Sequence, residues 1–311
     1  MKNALVVGGN GFIGYHLVRQ LINDDWHVTV YDRAIENRFI DWDVGPRYVQ
    51  GELGNRELLR ECLATIDVVF HLAYTTIPKT SNDDPAYDVQ SNVVTTVDML
   101  TECIQAKVRR VVFLSSGGTV YGIPKQVPIS EQHVKQPICS YGITKLAIER
   151  YLFLFHRLHG LRYSILRPSN PYGEEQNFLG KQGAVTVFLG RIAMGQPIEI
   201  WGDGSVIRDY FYVGDLARAC VMAAETEVPN LVVNIGSGEG HSLCDVLDIM
   251  RDTIGVDFEV QYQPGRPFDV PKIVLDVSRA RQLLDWVPTI TMESGILRTW
   301  KWVHNHVPVP A

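Results

Sequence analysis

Apolar residues along this chain fall into two alternating patterns. Short unbroken runs, such as Ala4-Leu5-Val6-Val7, read as strands buried on both faces. Between them, apolar positions recur every three to four residues, as at Ile13, Leu17, Val18, Leu21 and Ile22, the spacing of a helix with one buried face. Strands are predicted at 4–7, 28–31, 47–49, 67–73, 110–114 and 163–166. Helices are predicted after residue 11, near 56–63, around 86–103 and over 141–159. Strand and helix in alternation predict a parallel sheet covered on both faces, a Rossmann-type doubly wound α/β fold.

The alternation breaks after Arg167. A polar, glycine-bearing loop at 174–183 precedes a helix near 184–194, then a strand and tight turn at 198–204. A helix over 216–225, a strand and turn at 234–238, a proline-rich loop at 265–271 and helices at 276–284 and 293–304 complete the chain. Residues 1–170 are expected to form a dinucleotide-binding domain and 171–311 a smaller α/β substrate domain. Segments near 205–240 and 273–285 are expected to return to the first.

Composition narrows the partners. The chain has 311 residues, 46% hydrophobic and 21% charged, with net charge -6, values of a soluble globular protein. Nothing is basic enough to imply nucleic acid, and the apolar runs are too short to span a membrane. Met1-Lys2-Asn3 leads straight into a strand pattern, with no signal peptide expected. Cys62, Cys103, Cys139, Cys220 and Cys244 are scattered and odd in number, so they read as free thiols in a reducing cytoplasm, with no metal site.

Candidate chemistry gathers where strands end. Gly8, Gly11 and Gly14 join the first strand to the first helix, letting backbone approach a pyrophosphate at the helix N-terminus. Asp32 closes the second strand, where an acid would take the adenosine ribose and repel a 2′-phosphate; Arg33 beside it weakens that preference. The fifth strand delivers Ser115, Ser116 and Thr119 to its carboxyl end. Tyr141 and Lys145, four apart, share a helix face. An ammonium 4–6 Å from a phenol favours the phenolate by about 3–4 kcal/mol, roughly 2–3 pK units, at an effective dielectric near ~20. That would make a general base for neutral pH. Alone, such a pair shares a helix by chance more often than by function; its company reverses the odds.

These residues, with His71-Leu72-Ala73, Ser115-Ser116-Gly117-Gly118-Thr119-Val120-Tyr121-Gly122 and Arg167-Pro168-Ser169-Asn170-Pro171-Tyr172-Gly173, resemble the extended short-chain dehydrogenase/reductase family. The resemblance covers nearly the whole chain and is strongest to the UDP-glucose 4-epimerases. It implies bound NAD held by Gly8, Gly11, Phe12, Ile13, Gly14, Asp32, Arg33, Glu52, Leu53, Leu72, Ala73, Tyr141, Lys145 and Pro168. It implies a UDP-sugar held by Asn170, Val185, Trp201, Arg208, Arg266, Asp269 and Ile273. Tyr141 and Lys145 would be catalytic, with Thr119 or Ser116 binding the sugar 4-oxygen. The family's dehydratases and decarboxylases carry acids before the Val-Tyr-Gly run; Gly117, Gly118 and Thr119 offer none. Two departures stand out: Gly117 replaces the usual epimerase hydroxyl, and Glu52 replaces an Asp. Ile273, smaller than the Tyr of strict hexose enzymes, implies tolerance of UDP-N-acetylhexosamines. Alternatives left open are a UDP-hexuronate 4-epimerase, a nucleotide-sugar reductase and a non-catalytic dinucleotide-binding protein. A homodimer through helices 86–103 and 141–159 is expected.

Overall fold

The computed structural model describes residues 2–34, 45–180, 182–265 and 270–307. Strands β1 (Asn3–Val7), β2 (His27–Asp32), β3 (Arg47–Gln50), β4 (Val68–His71), β5 (Arg110–Leu114) and β6 (Arg162–Pro168) form one sheet with a seventh strand, Asn230–Ile235. The order is Asn230–Ile235, β6, β5, β4, β1, β2, β3, and every pairing is parallel. The chain starts in the middle, runs outward to β3, then crosses back to β4. The carboxyl ends of β1 and β4 therefore face a crevice between diverging connections.

Side chains of period two fill two separate cores. Ala4, Val6, Val30, Phe70 and Val112 face one side, against helix α1 (Phe12–Asn23) and helix Val213–Glu225. Leu5, Val7, Val69, Val111 and Phe113 face the other. There they meet helices α2 (Arg56–Leu63), α4 (Thr95–Gln105) and α5 (Ser140–His159). Burial on both faces is why these strands read as unbroken apolar runs. Helix Ser278–Leu284 and Trp286 also join the first core.

One helix differs from expectation. The predicted helix around 86–103 is α3 (Pro85–Asp88), a π-helical segment Val89–Val94, then α4. The wider turn brings Asn92 under Asp88, so the Asn92 amide donates to the Asp88 backbone O at 3.1 Å and to Oδ1 at 2.9 Å. Thr95 and Thr96 donate back to Ser91 O at 2.7 Å and Asn92 O at 2.5 Å, bonding carbonyls within the disturbed segment. Helix Leu243–Ile254 and strand Val260–Gln263 were not anticipated. A capping box between Ser242 and Asp245 is the local signal for that helix. With helices Ala184–Ala193 and Met292–His306 it surrounds a third core.

A buried ion pair ties β6 to α5. Arg167 and Glu149, 4% and 5% exposed, bond through Nε to Oε1 at 2.9 Å and Nη2 to Oε2 at 2.5 Å. Ser115 donates to Glu149 at 2.6 Å, and Arg167 donates to the Tyr121 hydroxyl at 2.9 Å. Removing one partner strands the other charge in an apolar interior. Glu149→Leu is expected to lose about 3–5 kcal/mol, and Glu149→Leu with Arg167→Met to recover most of it. Urea unfolding checks this; a Glu149→Leu midpoint equal to wild type contradicts it.

Candidate active site

The turn after β1 is built by contact, not by sequence alone. Gly8 sits at φ +86°, and a Cβ there would lie 2.6 Å from Ala73 N. A Cβ on Gly14 would lie 2.3 Å from Gly8 O. The turn thus packs against the end of β4 and the first turn of α1 with no room for a side chain. Gly11, the N-cap of α1, makes no side-chain cap, leaving first-turn N–H groups for an anion. Asp32 closes β2 beside this turn and accepts from Asn10 N at 3.0 Å.

A cleft of about 1090 Å³ opens from the glycine turn. Of the residues expected to bind ligands, Gly8, Gly11, Phe12, Ile13, Gly14, Leu72, Asn170, Val185, Trp201 and Arg208 line it. Strands Asn170–Tyr172 and Tyr210–Tyr212 pair in parallel, which brings Asn170 toward Arg208. Asn170 donates to Asp209 O at 3.0 Å, and Arg208 donates to Val270 O at 2.7 Å. Glu52, Leu53 and Arg33 sit beyond the ends of β3 and β2, where Tyr31 donates to Glu52 O at 2.8 Å and Arg33 is exposed. Ala73 N donates to Val7 O at 2.9 Å, and Pro168 ends β6. Ile273 is buried with Val120, Tyr121, Ile129 and Leu275 rather than lining the cleft. Arg266 and Asp269 lie outside the described residues.

The reactive pair sits at the start of α5. Gly142 lets that helix press on the Thr119 segment, since a Cβ there would lie 2.8 Å from Thr119 O. Tyr141 is half-buried and Lys145 is 3% exposed. The Thr119 hydroxyl is buried with no hydrogen-bond partner among the described residues, whereas Ser116 is half-buried and its carbonyl accepts from Val120 N at 3.3 Å. A side chain at Gly117 is excluded: its Cβ would meet Leu275 Cδ1 at 2.4 Å and Arg167 O at 2.9 Å. The missing hydroxyl at 117 is therefore matched by packing, and Thr119 carries the orphaned hydroxyl.

The expected depression of the Tyr141 phenol by Lys145 is opposed by burial. Lys145 Nζ donates to Leu114 O at 2.7 Å and lies 5.5 Å from the Tyr141 ring centroid. Burial dominates both groups. It pushes the Tyr141 phenol above its ordinary value, with Cys139 and Asp88 adding to the rise. It pushes Lys145 down to about 7, against the pull of Glu149 and Asp88. His71 is buried, with Nε2 2.8 Å from the Thr96 hydroxyl, and burial followed by Lys145 lowers it to about 3. It is a packed strand-end residue.

Among the cleft-lining residues that the sequence did not single out are Tyr74, Lys79 and Tyr210. Tyr74 follows directly on His71-Leu72-Ala73, so its place just past a strand end was the available signal.

Residues 4–236 match the model of the NAD dependent epimerase/dehydratase family. The chain belongs to this family. Among curated relatives, the UDP-glucose 4-epimerase of Mycolicibacterium smegmatis is 33% identical over 307 residues, covering 97% of this chain and 98% of that one. The dTDP-4-dehydro-6-deoxyglucose reductase of Escherichia coli is 32% identical over 305 residues, covering 95% of each. The UDP-glucose 4-epimerase of Thermotoga maritima, solved with UDP-glucose, superposes with TM-score 0.92 at 33% identity, covering 98% of this chain and 100% of that one.

The family's cofactor is NAD, and this epimerase/dehydratase chain fits it. The glycine turn, the α1 N-terminus without a side-chain cap and Asp32 beside them form a cradle whose backbone a Cβ at Gly8 or Gly14 would push out of place. Gly14→Ala is expected to weaken retained NAD roughly tenfold or more, a loss of about 1.4 kcal/mol. Mass spectrometry of nucleotide released from the purified protein measures it; undiminished retention would sink the cradle argument.

Proposed function

We propose that this enzyme interconverts C4 epimers of a UDP-hexose. The observation that carries the reading is the Tyr141/Lys145 pair beside an orphaned Thr119 hydroxyl, with no carboxylate at 117–119. Elimination or decarboxylation would need such an acid; epimerisation does not. Tyr141 as phenolate takes the proton of the sugar 4-hydroxyl, and Lys145 holds that phenolate by its charge. Thr119 donates to the 4-oxygen, and returning the proton from Tyr141 closes the cycle. Asn170, Arg208 and Arg266 hold the diphosphate, with guanidinium matched to phosphate oxygens. Asp269 takes the nucleoside ribose and Trp201 stacks on uracil. Bound NAD supplies the reversible hydride acceptor at C4.

A second reading is favoured by the Escherichia coli reductase relative: net reduction of a 4-keto nucleotide sugar. The two differ in stoichiometry. An epimerase turns UDP-glucose into UDP-galactose with no NADH consumed; a reductase consumes one NADH per product. Tyr141→Phe is expected to lower turnover about 10²- to 10⁴-fold while keeping bound NAD. Intact turnover in that variant would remove Tyr141 from the mechanism.

We infer two structural features of the working protein. Helix Val213–Glu225 and strand Asn230–Ile235 pack with the first core, which supports a dinucleotide domain of 1–170 plus segments near 205–240 and 273–285, and a substrate domain of 171–311. A homodimer through α5 and the α3–α4 helix is supported by exposed Tyr151, Leu154 and Leu158 on one helical stripe, with Tyr87 and Val94 exposed beside it. Among the described residues no helix is long and apolar enough to cross a membrane, and the free thiols suit a cytoplasmic home. Leu154→Glu with Leu158→Glu is expected to yield monomers by sedimentation; an unchanged sedimentation coefficient would exclude this interface.

A further inference from the structure

We propose that Tyr74 is a positioning residue whose ring face holds the Lys145 ammonium beside Tyr141 and keeps it cationic. The proposal rests on the catalytic reading of Tyr141 and Lys145, and it concerns what sustains a charge that burial opposes.

Lys145 is almost wholly enclosed, yet no carboxylate oxygen bonds it among the described residues. Its direct partners are the Leu114 carbonyl at 2.7 Å and two aromatic faces. Nζ lies 3.9 Å from the Tyr74 centroid and 4.8 Å from that of Phe113. The titratable and charged groups around it come from four directions. On its own helix are Tyr141 and Glu149, and both Glu149 oxygens are taken by Arg167 of β6, one of them also by Ser115. From α3 comes Asp88, whose oxygens are filled by Thr76, Asn92, Ser140 and Thr144. From β4 comes His71, which burial keeps neutral. Past β4 comes Tyr74. Both carboxylates act at a distance, so after the Leu114 carbonyl the nearest electron-rich group is the Tyr74 ring.

The ring is held in that orientation from behind. The Tyr74 hydroxyl bonds the Thr144 hydroxyl, which donates to Asp88 Oδ2 at 3.0 Å. Its edge meets Tyr141, centroids 4.8 Å apart at 64°. Tyr74 also lines the cleft, so one side chain links the cation, the phenol and the cleft wall. Loss of the π face should lower the proton affinity of Lys145. The weaker cation should in turn raise that of Tyr141. The active form needs Lys145 protonated and Tyr141 ionised, so the share of enzyme in that form, and with it kcat, falls at every pH.

The test compares the holoenzyme with Tyr74→Phe, Tyr74→Leu and a series with phenylalanines of rising ring fluorination at position 74. Two readouts are taken: the pH profile of kcat on UDP-glucose, and the titration of Lys145 by NMR of isotopically labelled lysine, assigned with Lys145→Arg. Tyr74→Phe keeps the face and is expected to keep both curves. Tyr74→Leu is expected to lower the Lys145 midpoint by about one pH unit and to lower kcat across the whole profile. The fluorinated series should shift it stepwise at constant shape, and decides the matter if Tyr74→Leu misfolds. A Lys145 midpoint indifferent to fluorination, or a Tyr74→Phe shift as large as that of Tyr74→Leu, overturns the proposal. If Tyr141→Phe leaves turnover intact, the catalytic reading fails instead, while the lysine titration still judges Tyr74 by itself.

Discussion

Desolvation of charge at the carboxyl edge of the sheet is the constraint to which the surrounding structure answers. A buried ammonium and a half-buried phenol both resist ionising. The protein places two carboxylates near Lys145 without letting either bond it. Glu149 is saturated by Arg167 and Ser115, and Asp88 by four neutral donors. A direct carboxylate pair would fix the lysine in place; distant carboxylates supply potential and leave its protons free.

The second-half segments and the π-helical turn serve that arrangement. Asp88 reaches Ser140 and Thr144 of α5 only because the helix widens at Val89–Val94 and Asn92 folds under it. Arg167 reaches Glu149 because β6 pairs with β5 in register, Leu166 beside Leu114. The cleft itself opens at the reversal of strand order between β1 and β4, and its lining runs from the glycine turn to helix Ala184–Ala193 and strand Ile198–Trp201.

Much of this was legible in the chain. Unbroken runs marked β1, β4 and β5 because each is buried on both faces. The glycines at 8 and 14 marked the cofactor turn because no other residue leaves room there. Helix Leu243–Ile254 was missed although Ser242 and Asp245 announce it, since its apolar face of Val246, Leu247 and Met250 is narrow. Tyr74 was missed because a lone tyrosine after a strand carries no periodic signal. Its role comes from Lys145, 71 positions away in the chain and 3.9 Å away in space.

By itself the sequence determined the order of strands and helices through β6, the glycine cradle and the residue types at Tyr141 and Lys145, because period, backbone freedom and functional group are local properties. Only the tertiary structure decided that Lys145 does not bond Tyr141, that Leu275 occupies the space beside Gly117, and that Thr119 holds the orphaned hydroxyl. Burial and electrostatic potential are sums over neighbours distant in the chain, and no stretch of residues contains them.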